Sequence, residues 1–190
     1  MQEDIIVAGF GGQGVIFAGQ LLAYAAMDSD LHVTCVPSYG PEMRGGTANS
    51  SVVISDEEIG SPIVTRPTIC IVMNGPSLEK YWPLVRPGGL LVVNTSLAGQ
   101  PRPREGIRIL RLKAQDEAAK LGNPRLANVV LLGALLAVRP VVPIDAALAA
   151  LPNLLSDNRR HLLDVNREAL LTGARLAEAE GPPEGCQERP

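Results

Sequence analysis

The chain has 190 residues, a length that suits one domain built around one hydrophobic core. Hydrophobic residues make up 46% of it and charged residues 19%, as in globular proteins, while aromatic residues make up only 3%. The net charge of -3 at pH 7 argues against a nucleic-acid-binding surface, because such a surface needs clustered Lys and Arg.

The first residues of the chain and its apolar runs predict a cytoplasmic protein that does not enter a membrane. Residues 2–4 are polar or acidic where a signal peptide would be basic. The longest apolar helical run, residues 126–138, contains Asn128 and is too short to span a bilayer. Cys35, Cys70 and Cys186 lie far apart without a C-x-x-C motif, so the cysteines indicate neither a metal site nor a disulfide framework.

In chain order, short apolar runs alternate with helical patterns, which predicts a three-layer α/β fold. We expect a Rossmann-like, mostly parallel sheet with helices on both faces and a helical C-terminal region. No helix precedes the third strand, so we expect it to be antiparallel. The predicted strands are residues 5–8, 32–37, 50–55, 68–74, 90–96 and 107–112, and the predicted helices are 13–27, 76–84, 114–121, 125–138, 145–151 and 159–179.

The boundaries of the predicted domain follow from the same patterns. Residues 1–180 form a single domain, and residues 181–190 lack apolar periodicity and are expected to be disordered. Residues 38–49 are predicted to be a loop because Gly, Pro and Asn interrupt them.

A glycine-rich loop follows the first strand in the stretch "DIIVAGFGGQGV". Its spacing, Gly9-x-Gly11-x-x-Gly14, is that of the dinucleotide-binding fingerprint, in which glycines let the backbone approach a pyrophosphate. The loop therefore predicts a phosphate-bearing ligand or the backbone of a partner. Tight packing of the first strand against the first helix, without any ligand, is an alternative that the glycines also satisfy.

The second half of an NAD site is missing from the sequence. An acidic residue at the end of the second strand should hold the ribose hydroxyls, but that strand ends in Pro37 and Ser38. Asp28 and Asp30 precede the strand, which is the wrong end, and no Arg is present to accept a 2′-phosphate. A stand-alone NAD(P)-binding oxidoreductase is therefore a weaker alternative.

The segment "SYGPEMRGG", residues 38–46, follows the second strand and carries several residues suited to binding. We expect it to lie beside the glycine loop at the carboxyl edge of the sheet, where ligands of open α/β sheets collect. Arg44 offers a guanidinium that can pair with a carboxylate or phosphate. A solvated loop with a local Glu42–Arg44 pair is the simpler alternative.

Together, "GFGGQGV", "SYGPEMRGG" and "VVISDEEIGSP", in this order, resemble the gamma subunit of 2-oxoacid:ferredoxin oxidoreductases. The later "LGNPRLANVVLLGAL" and "NREALLTGARLA" resemble the C-terminal helices of that family, the pyruvate/ketoisovalerate oxidoreductase gamma domain family. The resemblance covers about residues 3–178 and is greatest to the separate gamma chain of 2-oxoglutarate-type enzymes.

This resemblance implies a multi-subunit enzyme that oxidatively decarboxylates a 2-oxoacid, with 2-oxoglutarate as the expected substrate. The products are acyl-CoA, CO2 and reduced ferredoxin. Thiamine diphosphate with Mg, and the iron–sulfur clusters, would be held by alpha-, beta- and delta-type subunits. The gamma chain is then expected to assist assembly and to contact coenzyme A, to bind no metal and to be inactive alone.

The residues that match the family fall into two groups, and no catalytic residue is expected among them. The cofactor-binding group is Gly9, Gly11, Gly12, Gln13 and Gly14, and the group facing partners or coenzyme A is Ser38, Tyr39, Gly40, Glu42, Arg44, Gly45 and Gly46, with Pro41 between them. Asn128 also matches, although packing of an amide between helices would explain it as well. An indolepyruvate-type small subunit and a non-catalytic adaptor remain alternative interpretations.

Overall fold

A computed structural model describes residues 1–40 and 46–179, and in these residues six strands form one mixed sheet. The order across the sheet is β2-β3-β1-β4-β5-β6. β1, β4, β5 and β6 are parallel, whereas β3 is antiparallel to both β1 and β2, so the predicted antiparallel third strand is confirmed. The strands are β1 (Gln2–Phe10), β2 (His32–Tyr39), β3 (Thr47–Ser55), β4 (Ile69–Val72), β5 (Leu90–Asn94) and β6 (Arg108–Leu112).

The helices lie on both faces of this sheet, which confirms the predicted three-layer Rossmann-like architecture. α1 and α4 to α7 contribute buried residues to a large apolar core on one face, and α2 and α3 cover the smaller core on the other. The helices are α1 (Val15–Met27), α2 (Gly75–Tyr81), α3 (Thr95–Ala98), α4 (Ala114–Lys120), α5 (Ala127–Val138), α6 (Ile144–Leu154) and α7 (Leu163–Ala179). Short 3₁₀ helices at Trp82–Leu84, Pro124–Leu126 and Asp157–Leu162 precede or follow three of the longer elements.

The first strand shows why the central strands are apolar along their whole length. Ile5 and Val7 face the large core, while Ile6 and Ala8 face the smaller one. Successive side chains of a strand point to opposite faces, so a strand covered on both faces needs apolar residues at every position.

The prediction that residues 38–49 are entirely loop is wrong at both ends. Ser38 and Tyr39 continue β2, and Thr47 to Asn49 begin β3. β3 pairs with β1 on one side and with β2 on the other, so Ala48 and Asn49 have ladder partners on both sides, while Ser38 and Tyr39 pair with β3. That pairing outweighs the turn preference of Gly and Asn in the segment.

Two further boundaries differ from the prediction for local reasons. α1 begins at Val15 instead of residue 13, because Gly12 and Gly14 have φ angles of +95° and +75°, which a right-handed helix excludes. β5 ends at Asn94, and the chain turns at once into the helical turn α3 instead of continuing as a strand to residue 96.

No helix within the described ranges is both long enough and apolar enough to cross a membrane. The predicted disordered tail, residues 181–190, lies outside those ranges. The organisation of residues 1–180 as a single domain stays our proposal.

The C-terminal helices pack through two glycines. A Cβ atom added to Gly133 of α5 would lie 1.8 Å from the carbonyl oxygen of Leu170, and one added to Gly173 of α7 would lie 1.9 Å from that of Val130. Both contacts are to backbone atoms, which cannot move aside as a flexible side chain can. The two helices therefore approach each other as closely as they do only because both positions are Gly.

Replacing Gly173 by Ala should lower the free energy of unfolding by at least about 3 kcal/mol, because the methyl group forces α5 and α7 apart. The control is Gly60→Ala, where an added Cβ meets nothing within 4 Å and the change should stay within about 0.5 kcal/mol. Urea denaturation followed by circular dichroism measures both variants. Equal stabilities for the two would contradict the packing described.

Candidate functional site

The glycine loop after β1 contacts the described part of the second loop at the carboxyl edge of the sheet. The backbone N–H of Gly11 donates a hydrogen bond to the carbonyl oxygen of Gly46 at 3.0 Å. Phe10 and Thr47 are paired residues of the β1–β3 ladder, so the two loops start from neighbouring strand ends. The glycine loop and the described residues at both ends of the second loop are thus neighbours in the structure.

Glycine is required at Gly9 and at Gly14, for different reasons. A Cβ on Gly9 would meet Oε1 of Gln13 at 2.7 Å and a methyl group of Val15 at 2.9 Å. A Cβ on Gly14 would meet Nδ2 of Asn128 at 2.4 Å, and the residue also has a positive φ. Gly12 has a positive φ but open space around it, so only its backbone conformation calls for Gly.

The side chain of Gln13 forms hydrogen bonds that connect the glycine loop to the residues after β4. Its Oε1 accepts hydrogen bonds from the backbone N–H of Phe10 at 2.7 Å and from Nδ2 of Asn74 at 3.1 Å. Asn74 follows β4 and is the N-cap of α2, accepting from the N–H of Ser77 at 2.9 Å. One side chain therefore ties the ends of β1 and β4 together.

Asn128 of α5 forms a second hydrogen bond to the glycine loop. It is buried, and its Nδ2 donates to the carbonyl oxygen of Gly14 at 3.0 Å. That oxygen also accepts the first backbone hydrogen bond of α1, from Ala18. The amide thus packs between the loop and α5, as one of the two interpretations of this residue predicts.

A cleft of about 490 Å³ opens beside the glycine loop. One wall is the loop and the start of α1, a second is the end of β2, and a third is built by the segments before α5 and α7. Small-molecule sites in proteins have volumes of this order. The lining residues are Phe10, Gly11, Gly12, Gly14, Val15, Ile16, Phe17, Tyr39, Ala48, Asn123, Arg125, Leu126, Asn128, Leu155, Arg159, Leu162 and Asn166.

Aromatic and cationic side chains are concentrated in this lining. The chain contains two Phe, three Tyr and one Trp, and both Phe and one Tyr line the cleft. Arg125 and Arg159 contribute the only charged side chains, and no Asp or Glu is among the lining residues of the described chain. Such a cleft suits a ligand with a flat ring and negative charge.

The sequence did not indicate these lining residues beyond the glycines, Tyr39 and Asn128. Arg125 and Arg159 lie more than 100 residues after the glycine loop and belong to no recognisable binding pattern. The scarcity of aromatic residues was the available signal, because both Phe lie within eight positions of each other around the glycine loop.

A smaller pocket of about 110 Å³ lies on the other side of the glycine loop, at the carboxyl ends of β4 and β5. It shares Gly12 and Arg125 with the cleft. Its lining residues are Gly12, Gln13, Met73, Asn94, Leu97, Gln115, Pro124, Arg125 and Ala127.

The predicted partner-facing residues are only partly within the described chain. Tyr39 is 62% exposed at the rim of the cleft, and Ser38 beside it is also exposed. Gly40 closes the hairpin by donating from its N–H to the carbonyl oxygen of Thr47 at 2.7 Å. Pro41, Glu42, Arg44 and Gly45 lie outside the described residues, so their roles stay predictions.

The topology weighs further against a dinucleotide site of the NAD type. In such sites the second strand is the parallel neighbour of the first and carries the acidic residue that binds the ribose. Here β3 lies between β1 and β2, which moves the end of β2 to about 10 Å from β1, two strand spacings instead of one. The described residues at that end, Ser38 to Gly40, include no acid.

Neither cysteine of the described residues lines the cleft or the smaller pocket. Burial raises the pKa of the Cys70 thiol well above its usual range, so this cysteine stays protonated at neutral pH. Cys35 is half-buried, with its Sγ 3.5 Å from the hydroxyl oxygen of Ser50. In residues 1–40 and 46–179, no three His, Cys, Asp or Glu side chains converge to form a candidate metal site.

Gly12 and Gly14, the two glycines of this loop that have positive φ, allow the cost of backbone strain to be measured separately from the cost of a steric clash. Gly12→Ala should cost about 1–2 kcal/mol of stability, the usual cost of a left-handed conformation. Gly14→Ala should cost about 1–3 kcal/mol more, because its methyl group also collides with Asn128. Denaturant unfolding of both variants measures the difference.

The same collision predicts coupling in a double-mutant cycle. In an Asn128→Ala background, Gly14→Ala should cost little more than Gly12→Ala does, since the colliding amide is gone. An unchanged cost of Gly14→Ala in that background would show that Asn128 does not set the shape of the loop.

Comparisons with known proteins agree with the fold and with the sequence motifs. A family model described as pyruvate ferredoxin/flavodoxin oxidoreductase matches residues 4–176. The 2-oxoglutarate synthase subunit KorC of Methanothermobacter marburgensis is 39% identical over 160 residues, which are 80% of this chain and 86% of KorC.

The ketoisovalerate oxidoreductase subunit VorA of the same organism is longer. It is 35% identical over 168 residues, which are 88% of this chain but 35% of VorA. The chain therefore spans about a third of the length of this relative, and the same holds for VorA of Methanothermobacter thermautotrophicus.

Two solved structures share the fold. The gamma subunit of the keto/oxoacid ferredoxin oxidoreductase from Geobacter sulfurreducens superposes with a TM-score of 0.80 at 30% identity, covering 93% of this chain and 99% of that one. The 2-oxoglutarate:ferredoxin oxidoreductase from Magnetococcus marinus, solved with 2-oxoglutarate, coenzyme A and succinyl-CoA bound, gives a TM-score of 0.83 at 26% identity. The match covers 94% of this chain and 31% of that chain.

The family match extends over nearly the whole described chain and includes the glycine loop, the cleft and the helices that border them. The resemblance to gamma subunits inferred from the two loop motifs is thereby confirmed. This chain belongs to the pyruvate ferredoxin/flavodoxin oxidoreductase family.

Proposed function

We propose that this chain is the gamma subunit of a multi-subunit 2-oxoacid:ferredoxin oxidoreductase. The complex oxidatively decarboxylates a 2-oxoacid in the presence of coenzyme A and forms acyl-CoA, CO2 and reduced ferredoxin. The observation that carries this proposal is the match to separate subunits along their length, 99% of the Geobacter gamma subunit and 86% of KorC. In this proposal the chain supplies one module of the enzyme and is inactive alone.

The substrate we propose is 2-oxoglutarate. KorC, which is named as a subunit of 2-oxoglutarate synthase, matches along most of its own length, whereas VorA matches along about a third. Substrate choice is expected to lie mainly in the other chains, so the proposal concerns the complex to which the chain belongs.

We further propose that coenzyme A contacts the chain in the cleft beside the glycine loop. The Magnetococcus relative was solved with coenzyme A bound, and the residues of the cleft suit that molecule. Coenzyme A carries an adenine ring and several phosphate charges, and the cleft offers Phe10, Phe17 and two Arg side chains. The backbone of the glycine loop allows a phosphate to approach without contact with side chains.

Thiamine diphosphate, Mg and the iron–sulfur clusters are assigned to the alpha-, beta- and delta-type subunits. Iron–sulfur clusters need several converging thiolates, and the two cysteines in the described residues are in separate strands. The role of this chain is then to position coenzyme A and to support assembly.

The exposed end of β2 supports a partner surface next to the cleft. Tyr39 is 62% exposed and Val36, on the same edge strand, is 44% exposed. Large exposed side chains beside a ligand cleft are typical of contact surfaces. The second loop, with Ser38, Gly40 and Gly46, connects this strand to β3 and is proposed to face the partner subunits.

An anaerobic affinity purification of the chain from its native host should recover the other subunits of the oxidoreductase. The recovered complex should reduce a redox dye in the presence of coenzyme A and one 2-oxoacid from a panel, with 2-oxoglutarate expected. Mass spectrometry identifies the partners. Recovery of a chain that has no partners and binds NAD would contradict the proposal.

Within that complex, Arg125→Ala should raise the KM for coenzyme A about tenfold, since a charge-assisted hydrogen bond to phosphate is worth about 1.4 kcal/mol or more. The kcat should change little, because the side chain is proposed to bind the nucleotide end and not the reacting thiol. The control is Arg167→Ala on α7, an exposed Arg that lines neither pocket. Equal KM values for coenzyme A in both variants would exclude Arg125 from the binding site.

A further inference from the structure

We propose that the smaller pocket, between the ends of β4 and β5 and the segment before α5, binds an oxyanion, that is, a phosphate or carboxylate group. The central contact is a hydrogen bond donated to this group by Nδ2 of Asn94. Nothing in the role assigned to the cleft requires this second site, and it stands on separate observations.

The first observation is a buried donor without a partner. Asn94, at the end of β5, is 1% exposed and lines the pocket, and its Nδ2 has no hydrogen-bond partner among the described residues. A buried donor left unpaired costs about 1–3 kcal/mol, so such groups occur where something else completes them.

The orientation of this amide is set by its other end. The Oδ1 atom of Asn94 accepts a hydrogen bond from the backbone N–H of Gln115 at 3.3 Å. A backbone N–H needs an acceptor, so the oxygen must be on that side and the nitrogen on the other. The end of Asn94 that is left without a partner is therefore a donor and not an acceptor.

The second observation is that Gln13 and Arg125 also supply donors to the pocket lining, while the side-chain amide of Gln115 has both a donor and an acceptor. Gln13 already uses its Oε1 to accept from Phe10 and Asn74, which leaves its Nε2 as the free end. Arg125 has no carboxylate partner within residues 1–40 and 46–179 and contributes a cation. No Asp or Glu lines the pocket.

These features define the chemistry of the ligand. A cation would meet the positive charge of Arg125 with the amide oxygen of Gln115 as the one side-chain ligand left in the described lining, and an apolar group would leave Asn94 unpaired. An oxyanion supplies several acceptor oxygens to amide and guanidinium donors at once. The volume of about 110 Å³ admits a group the size of phosphate or a short carboxylate, but not a nucleotide.

The test uses the full chain labelled with ¹⁵N and titrated with inorganic phosphate. A saturable shift of the Asn94 side-chain NH₂ signals and of the Gln115 backbone amide is expected. Asn94→Asp keeps an acceptor for Gln115 but replaces the donor by a carboxylate oxygen, so phosphate affinity should fall at least tenfold. Asn153→Asp, an exposed residue of α6 that lines neither pocket, adds the same charge and should bind phosphate as the unmodified chain does.

The absence of a saturable shift at Asn94 in the unmodified chain would overturn the proposal. In that case water, and not an oxyanion, accepts the hydrogen bond from Nδ2 of Asn94. Equal phosphate affinity in Asn94→Asp would overturn it as well. If the variant does not fold, the spectrum of the unmodified chain decides the question.

A parallel titration with coenzyme A distinguishes the source of the oxyanion. Displacement of phosphate by coenzyme A would identify the group as part of that larger ligand, reaching across the shared Gly12 and Arg125. Phosphate binding that coenzyme A does not affect would identify a separate small anion, and either result supports the site. Failure to recover partner subunits would overturn the proposed function and leave this result unchanged.

Discussion

The shape of the candidate site depends on two amides that hold a loop with almost no side chains. Gln13 accepts hydrogen bonds from the backbone N–H of Phe10 and from the side chain of Asn74. Asn128 donates a hydrogen bond to the carbonyl oxygen of Gly14. Because glycines impose little conformation of their own, these contacts supply the order that the loop lacks. A preformed loop binds a ligand without the entropic cost of becoming ordered.

The antiparallel strand β3 determines what such a loop can bind. A parallel β2 beside β1 would place a ribose-binding acid within reach of the glycine loop, but β3 occupies that position. The space beside the loop is instead bordered by the segments before α5 and α7, which bring Arg125 and Arg159 to it. The same glycine spacing thus belongs to a cleft with a different set of side chains, and a fold-level analogy to dehydrogenases would mislead.

The sequence predicted the strand and helix order well, because strands buried on both faces and amphipathic helices give strong local patterns. It failed where long-range pairing decided the outcome, as at Thr47 to Asn49, whose strand conformation comes from ladders with two neighbouring strands. The glycine loop was visible because its signal is local. Asn94 and Arg125 could not be recognised from the sequence, because only the tertiary fold brings them close to Gly12.

Hydrogen–deuterium exchange of the purified complex, with and without coenzyme A, tests the central claim most directly. With coenzyme A bound, we expect slower exchange in this chain at residues 10–15 and 123–128, the two segments that border both pockets. Protection by coenzyme A confined to other subunits, with these two segments unchanged, would contradict it.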